Sequence, residues 1–112
     1  MILPFVEQVL VERRKVVEYL LNPLHPEGAT KARFFLAAGF NIEDWQDLAK
    51  PLCGLAERFP ISSGLHTGHG WKYIVDGDLL APTGRVLRVR TVWIVESGST
   101  APRLITAYPV KE

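Results

Sequence analysis

The chain has 112 residues, of which 47% are hydrophobic and 22% are charged, and its formal net charge at pH 7 is +1. This length is enough for one domain with a sizeable core, and the hydrophobic fraction is too high for a disordered chain. No apolar run approaches the ~20 residues of a membrane span, so we expect no membrane partner. The balanced charge argues against nucleic-acid binding through charge alone.

Cys53 is the only cysteine, which excludes an internal disulfide and favours a reducing cytoplasmic location. It lies close in sequence to Leu52, Leu55 and Phe59, and we interpret it as a small core residue. The apolar start of the chain is interrupted by Glu7 and shows no cleavage site of a secretory signal. We therefore expect a cytoplasmic protein.

Apolar residues recur at helical spacing in the first half of the chain. The spacing predicts helices over 12–21, over 29–38 and from the capping residue Asn41 to Phe59. Pro51 lies inside the third pattern and predicts a kink or break near 47–50. Residues 5–10 fit either a short edge strand or the start of the first helix.

After residue 60, β-branched and aromatic residues alternate with polar ones between turns marked by Gly and Pro. We read 61–70 as a Gly/Ser-rich loop. The strands are predicted over 71–76 with a possible extension to 80, over 86–95 and over 103–108. Short connections make them an antiparallel meander.

Together these patterns predict an α+β fold in a single domain, 1–112. The helical part covers about 11–60 and the β-meander about 71–110. Two or three N-terminal helices pack on one face of the sheet. The strand side chains that we expect to face Phe35 and Trp45 are Leu87, Val89 and Trp93.

Two histidines, His66 and His69, lie in the glycine-rich segment HTGHGWK. Histidine can act as acid or base near neutral pH, and glycine lets a backbone approach a ligand closely. The alternative interpretation is a solvated loop in which the two histidines have no role. The His-x2-His spacing is not that of a standard zinc site, so we predict no metal.

Four cations lie on the predicted strands. They are Lys72, Arg88, Arg90 and Arg103. Such a set suits an anionic substrate, because guanidinium forks match phosphate oxygens. The alternative is a solvated or ion-paired face in which Asp76, Asp78 and Glu96 are the partners.

The last strand, RLITAYP, places Thr106 and Tyr108 on one face together with Leu104. Tyr108 fits the core, and it also fits a role in hydrogen-bonding a phosphate or stacking on a base. In the first half of the chain we interpret His25 as structural. Lys31 near the start of the second helix is unfavourable to the helix dipole, a small hint of another role.

The sequence has no P-loop, dinucleotide fingerprint, nucleophile elbow or HExxH motif. We therefore expect no cofactor.

Residues 18–110 resemble a family of small uncharacterised bacterial proteins. The shared motifs are LNPxHPxG at 21–28, KAxFF at 31–35, TVW at 91–93 and PRLxTAYP at 102–109. More distantly, helices followed by a twisted antiparallel sheet that ends in a Thr-x-Tyr strand, here Thr106 and Tyr108, resemble the toxin RNases of the barnase–EndoU–colicin–RelE fold group.

That second resemblance implies metal-independent RNA cleavage, in which a 2′-hydroxyl attacks its own 3′-phosphate. His69 would be base or acid, with His66 or Tyr108 as the second such group. Lys72 and Arg90 would hold the phosphate. The residues that would steer the RNA backbone or contact the phosphate or a base are Arg88, Arg103, Thr106 and Tyr108.

The implied partners are RNA and a cognate antitoxin or immunity protein. The alternative function is a non-enzymatic protein-interaction module, such as a phage or toxin-locus accessory protein, and it is motivated by the near-zero net charge and by strand edges that are free to pair. A homodimer through a strand edge is also open.

Overall fold

The computed structural model describes residues 1–110. Its helical half begins with a 3₁₀ turn at Val6–Gln8. The helices are α1 at Arg13–Lys15, which runs into a π-helical turn at Val16–Leu20, α2 at Ala29–Ala37 and α3 at Gln46–Arg58. None of these described helices is long and apolar enough to cross a membrane.

The second half is one antiparallel sheet in which consecutive strands are neighbours, in the order β1-β2-β3-β4. The strands are β1 at Ile61–Thr67, β2 at Gly70–Leu80, β3 at Val86–Glu96 and β4 at Arg103–Pro109. The predicted α+β fold, with helices first and a β-meander second, is confirmed.

The prediction of a loop over 61–70 is wrong, because most of this segment is the edge strand β1. It pairs with β2 from Ile61 opposite Val75 to Thr67 opposite Gly70, with an irregularity near Ser63. Most of its side chains are exposed, so its sequence shows no hydrophobic alternation. Backbone hydrogen bonds to β2, not burial of its own side chains, make this segment a strand.

Two helix predictions need correction. The first predicted helix is only a short α-turn followed by the π-turn, in which the Leu21 N–H donates to the Val16 carbonyl at 2.8 Å. The third helix starts at Gln46, not directly after Asn41, and it continues through Pro51 without a break. Because Pro51 lies in the second turn, its missing N–H removes a single intrahelical bond.

The ambiguous segment 5–10 ends next to β4. The Leu10 N–H donates to the Pro102 carbonyl at 2.8 Å, and the Leu104 N–H donates to the Leu10 carbonyl at 3.0 Å. Leu10 thus forms a single parallel bridge with Arg103. This contact covers the start of the β4 edge.

The core lies between the helices and one face of the sheet. As predicted, Leu87, Val89 and Trp93 are buried there, in one hydrophobic cluster with Phe35, against which Trp45 packs. Gly77 of β2 lets α3 approach closely, since an added Cβ would lie 2.6 Å from the Phe59 ring. We call the opposite side of the sheet the open face.

A shift of register in β4 changes which side chains share a face. Val92 pairs with Thr106, but the next residue of β3, Trp93, pairs with Leu104, so one residue of β4 is extra. Leu104 is therefore buried in the core, whereas Thr106 and Tyr108 lie on the open face. The predicted common face of Leu104 and Thr106 is wrong, because a bulge reverses the alternation.

Candidate functional site

A hydrogen-bonded group connects the helical half to the open-face side of β4. The Lys31 ammonium of α2 donates to the Tyr19 hydroxyl at 2.6 Å. The same hydroxyl is 3.1 Å from the Thr106 hydroxyl. We call Tyr19, His25, Lys31, Thr106 and Tyr108 the edge cluster.

The loop between the π-turn and α2 brings His25 to this cluster. Its Nδ1 accepts the backbone N–H groups of Glu27 and Gly28, each at 3.1 Å, which places the proton of the neutral ring on Nε2. The ring edge of His25 packs on Tyr19, with centroids 4.9 Å apart. An added Cβ at Gly28 would lie 2.9 Å from the Tyr19 carbonyl oxygen and ring, so only glycine fits this approach.

Tyr108 links the edge cluster to the centre of the open face. The Lys31 Nζ lies 5.8 Å from the centroid of the Tyr108 ring. Across the strand pair Tyr108 is opposite Arg90, and Arg90 forms a two-pronged ion pair with Asp76 at 2.8 and 2.9 Å. A continuous row of polar groups therefore runs from β2 across β3 and β4 to α2.

Two groups in this row have shifted pKa values. Burial raises the pKa of Tyr19, but hydrogen bonds from Lys31 and Thr106 and the positive charges of Lys31 and Lys15 outweigh it, so the pKa lies below 10.0. The hydrogen bonds and charge of Asp76, and then Tyr108, raise the pKa of Arg90 above its usual range. Arg90 is thus a permanent cation, and Tyr19 is easier to ionise than an ordinary phenol.

Two clefts flank the Lys31–Tyr19 hydrogen bond. One has a volume of about 290 Å³ and is lined by Tyr19 and His25 together with Glu12, Arg14, Lys15, Glu18 and Arg103. The other has a volume of about 380 Å³ and is lined by Glu27, Thr30, Lys31, Tyr108 and Pro109. Each cleft is thus lined by members of the edge cluster.

The structure brings together only part of the predicted catalytic set. Arg90 and Tyr108 are opposite each other, whereas Lys72 is opposite Ile94, about 13 Å along the sheet from Arg90. His69 is in the β1–β2 turn, about 20 Å along the strands from the row of Arg90. The four residues do not meet at one point.

The predicted substrate-binding residues are also spread out. His66 is opposite Trp71, on the face of β1 and β2 that continues the core face, and its ring packs on that indole at 5.0 Å. Arg88 is 3.4 Å from Asp78. Arg103 hydrogen-bonds Glu96 and lies 3.8 Å from Glu12. Thr106 is the one member of this set inside the edge cluster.

The sequence interpretation did not select Tyr19, His25 and Lys31 as site residues. The signals for two of them were present: His25 is in the LNPxHPxG motif, and Lys31 lies where a cation opposes the helix dipole. Tyr19 had no signal of its own. Among residues 1–110, no group of three His, Cys, Asp or Glu side chains is placed to hold a metal ion.

Comparison with solved structures identifies the class of fold. The fold is similar to that of a solved chain in a contact-dependent growth inhibition toxin–immunity protein complex from Klebsiella pneumoniae 342, with a TM-score of 0.70 and 15% sequence identity. The match covers 96% of this chain and 97% of that chain. At this identity it establishes a shared α+β fold.

The family follows from the sequence. Residues 2–111 match the model of a domain of unknown function, DUF6883, and the chain belongs to that family. No curated protein matches the sequence.

Proposed function

We propose that this chain is a toxin-type endoribonuclease that cleaves RNA without a metal ion and is held inactive by a cognate antitoxin or immunity protein. The observation that carries the proposal is the Lys31–Tyr19–Thr106 hydrogen-bonded group at the rim of the open face. The solved chain with a similar fold comes from a toxin–immunity protein complex, which supports a role in a toxin system.

The chemistry requires one proton to leave the 2′-oxygen and one to reach the departing 5′-oxygen. Tyr19 acts in its ionised form, which the lowered pKa favours, and its oxygen takes the 2′ proton while the 2′-oxygen forms its bond to phosphorus. The P–O5′ bond breaks, and the Lys31 ammonium protonates the 5′-oxygen. The products are a 2′,3′-cyclic phosphate and a 5′-hydroxyl. Proton transfer along the 2.6 Å hydrogen bond from Tyr19 to Lys31 restores both groups.

The remaining groups act on the phosphate. His25 lines the cleft beside Tyr19 and carries an Nε2–H donor, and Arg90 presents a permanent charge that Asp76 holds in place. Donors that are fixed before the reaction stabilise the charge that develops on the phosphate oxygens. Thr106 keeps the Tyr19 oxygen in position. The proposal thus retains Arg90, Thr106 and Tyr108 from the sequence interpretation and moves the acid–base pair to Tyr19 and Lys31.

The first test is cleavage of a 5′-labelled RNA by the purified protein in excess EDTA. We expect fragments that end in a 2′,3′-cyclic phosphate. Tyr19→Phe removes only the hydroxyl and should lower the rate by about 10²–10⁴-fold. Tyr73→Phe is the matched control, because Tyr73 lies on the other face of the sheet, opposite Trp93, and its rate should stay near that of the wild type.

Two results contradict the proposal. One is intact RNA after incubation with folded wild-type protein, and the other is a Tyr19→Phe variant as active as the wild type. His69→Ala compares the two locations of the acid–base group. Its rate should be unchanged, and a loss there would move the reaction to the β1–β2 turn.

Expression in a bacterial host gives a second measurement. Cleavage of cellular RNA harms the cell that makes the enzyme, so induction of the wild type should stop growth and induction of Tyr19→Phe should not. Equal growth of both strains at equal protein levels would count against a toxin.

A further inference from the structure

We infer that the cleft of about 380 Å³ between the start of α2 and the end of β4 is a nucleobase site that selects guanine through the Glu27 carboxylate. The inference deepens the proposed function and rests on it, since the cleft adjoins the Lys31–Tyr19 hydrogen bond.

The cleft has the size and lining of a base site. Its volume is near the lower end of the range for small-molecule sites, about 300–1,000 Å³, so it suits one nucleoside. Tyr108 and Pro109 provide an aromatic ring and an apolar surface, and single-stranded RNA is typically bound by stacking its bases on such rings.

The polar groups of the cleft determine which base fits. Within residues 1–110, the Glu27 carboxylate takes part in no hydrogen bond or ion pair, and its backbone N–H is held by His25. An ionised carboxylate only accepts hydrogen bonds. Thr30, at the same cleft, supplies a hydroxyl that can donate.

Guanine is the base that matches this set. Its Watson–Crick edge carries two adjacent donors, N1–H and the N2 amino group, beside the O6 acceptor. Both donors can bind one carboxylate, and O6 can accept from Thr30. Adenine and cytosine offer one amino donor next to a ring acceptor, and uracil places its single N–H between two carbonyls, so each leaves the carboxylate facing an acceptor. Sites built on such hydrogen bonds reject bases that lack the donors.

The first experiment is equilibrium binding of the four 5′-mononucleotides to the full chain, followed by NMR. GMP should bind about 10- to 100-fold more tightly than AMP, CMP or UMP and should shift the signals of Tyr108. Inosine monophosphate, which lacks the N2 amino group, should lose about 10-fold. Glu27→Gln should remove the preference, and Glu57→Gln on α3 should keep it.

The second experiment is cleavage of short RNA oligomers that differ at one base beside the cut. Wild type should cut the oligomer with guanine fastest. Glu27→Gln should lower that rate to about the rate for the other three oligomers. Equal binding of the four nucleotides, or a guanine preference that survives in Glu27→Gln, overturns the inference. Guanine binding without any RNA cleavage would instead leave the base site standing and overturn the proposed nuclease.

Discussion

Gly77 tests how α3 packs on the sheet, because a side chain at this position has no space. A Cβ built there lies 2.6 Å from Cδ2 of Phe59 and 2.8 Å from Cγ of Leu55. Carbon atoms in good contact are about 3.5–4.0 Å apart, so the overlap is about 1 Å. Overpacking of this kind typically costs about 1–3 kcal/mol. We expect Gly77→Ala to lower the free energy of unfolding by that amount.

Gly54 provides the matched control, since it lies inside α3 and a Cβ built on it meets no atom within 4 Å. Replacing glycine by alanine in a helix interior stabilises by about 1 kcal/mol. Gly54→Ala should therefore be more stable than the wild type, and the two variants should differ by about 2–4 kcal/mol. Urea unfolding followed by tryptophan fluorescence measures both. A Gly77→Ala variant as stable as the wild type would refute the close packing of α3 on β2.

Three further predictions concern single groups. The buried Thr91 hydroxyl accepts a hydrogen bond from the Trp93 indole N–H at 2.8 Å. Thr91→Val leaves that donor unpaired and should lower the free energy of unfolding in urea by about 1–3 kcal/mol. An unchanged unfolding midpoint would contradict the contact. The pKa of Tyr19, measured by ultraviolet absorbance, should lie below 10.0, and Lys31→Met should raise it. Because the pKa of Tyr19 is lower in the folded state than in the unfolded state, its ionisation stabilises the fold at high pH. This contribution is lost as the pH falls through the folded-state pKa. Burial, and then the charge of a neighbouring glutamate, raises the pKa of Cys53, so its reaction with a thiol reagent at pH 8 should be slow and should accelerate in denaturant, and equal rates in both states would refute the burial.

Local pattern was sufficient for much of the fold. Hydrophobic spacing located α2 and most of α3, and the alternation along 86–95 placed Leu87, Val89 and Trp93 in the core, because these side chains carry the burial that holds the elements together. The strand β1 was missed for the opposite reason. It is exposed on an edge, and its backbone bonds to β2 leave no mark on its own side-chain pattern.

The candidate site was also predicted only in part from the local sequence pattern. The sequence placed the Arg90 cation and the Tyr108 hydroxyl on strands of the sheet. The irregular register of β4 decided which side chains share a face with them. Bulges insert a residue without a reliable sequence signature. The predicted meeting of His69 with Arg90 failed because the turn that carries His69 is at the far end of the strands.

By itself, the sequence determined the order of helices and strands, the core face of β3 and the membership of a family. These properties depend on neighbours a few residues apart, where spacing alone decides which side chains share a surface. Only the tertiary structure decided that Tyr19 meets Thr106, 87 positions away, and that Lys31 bonds to the same oxygen. Such contacts depend on how a helix docks against a sheet edge, which is set by the packing of the whole core and not by the pattern of either segment.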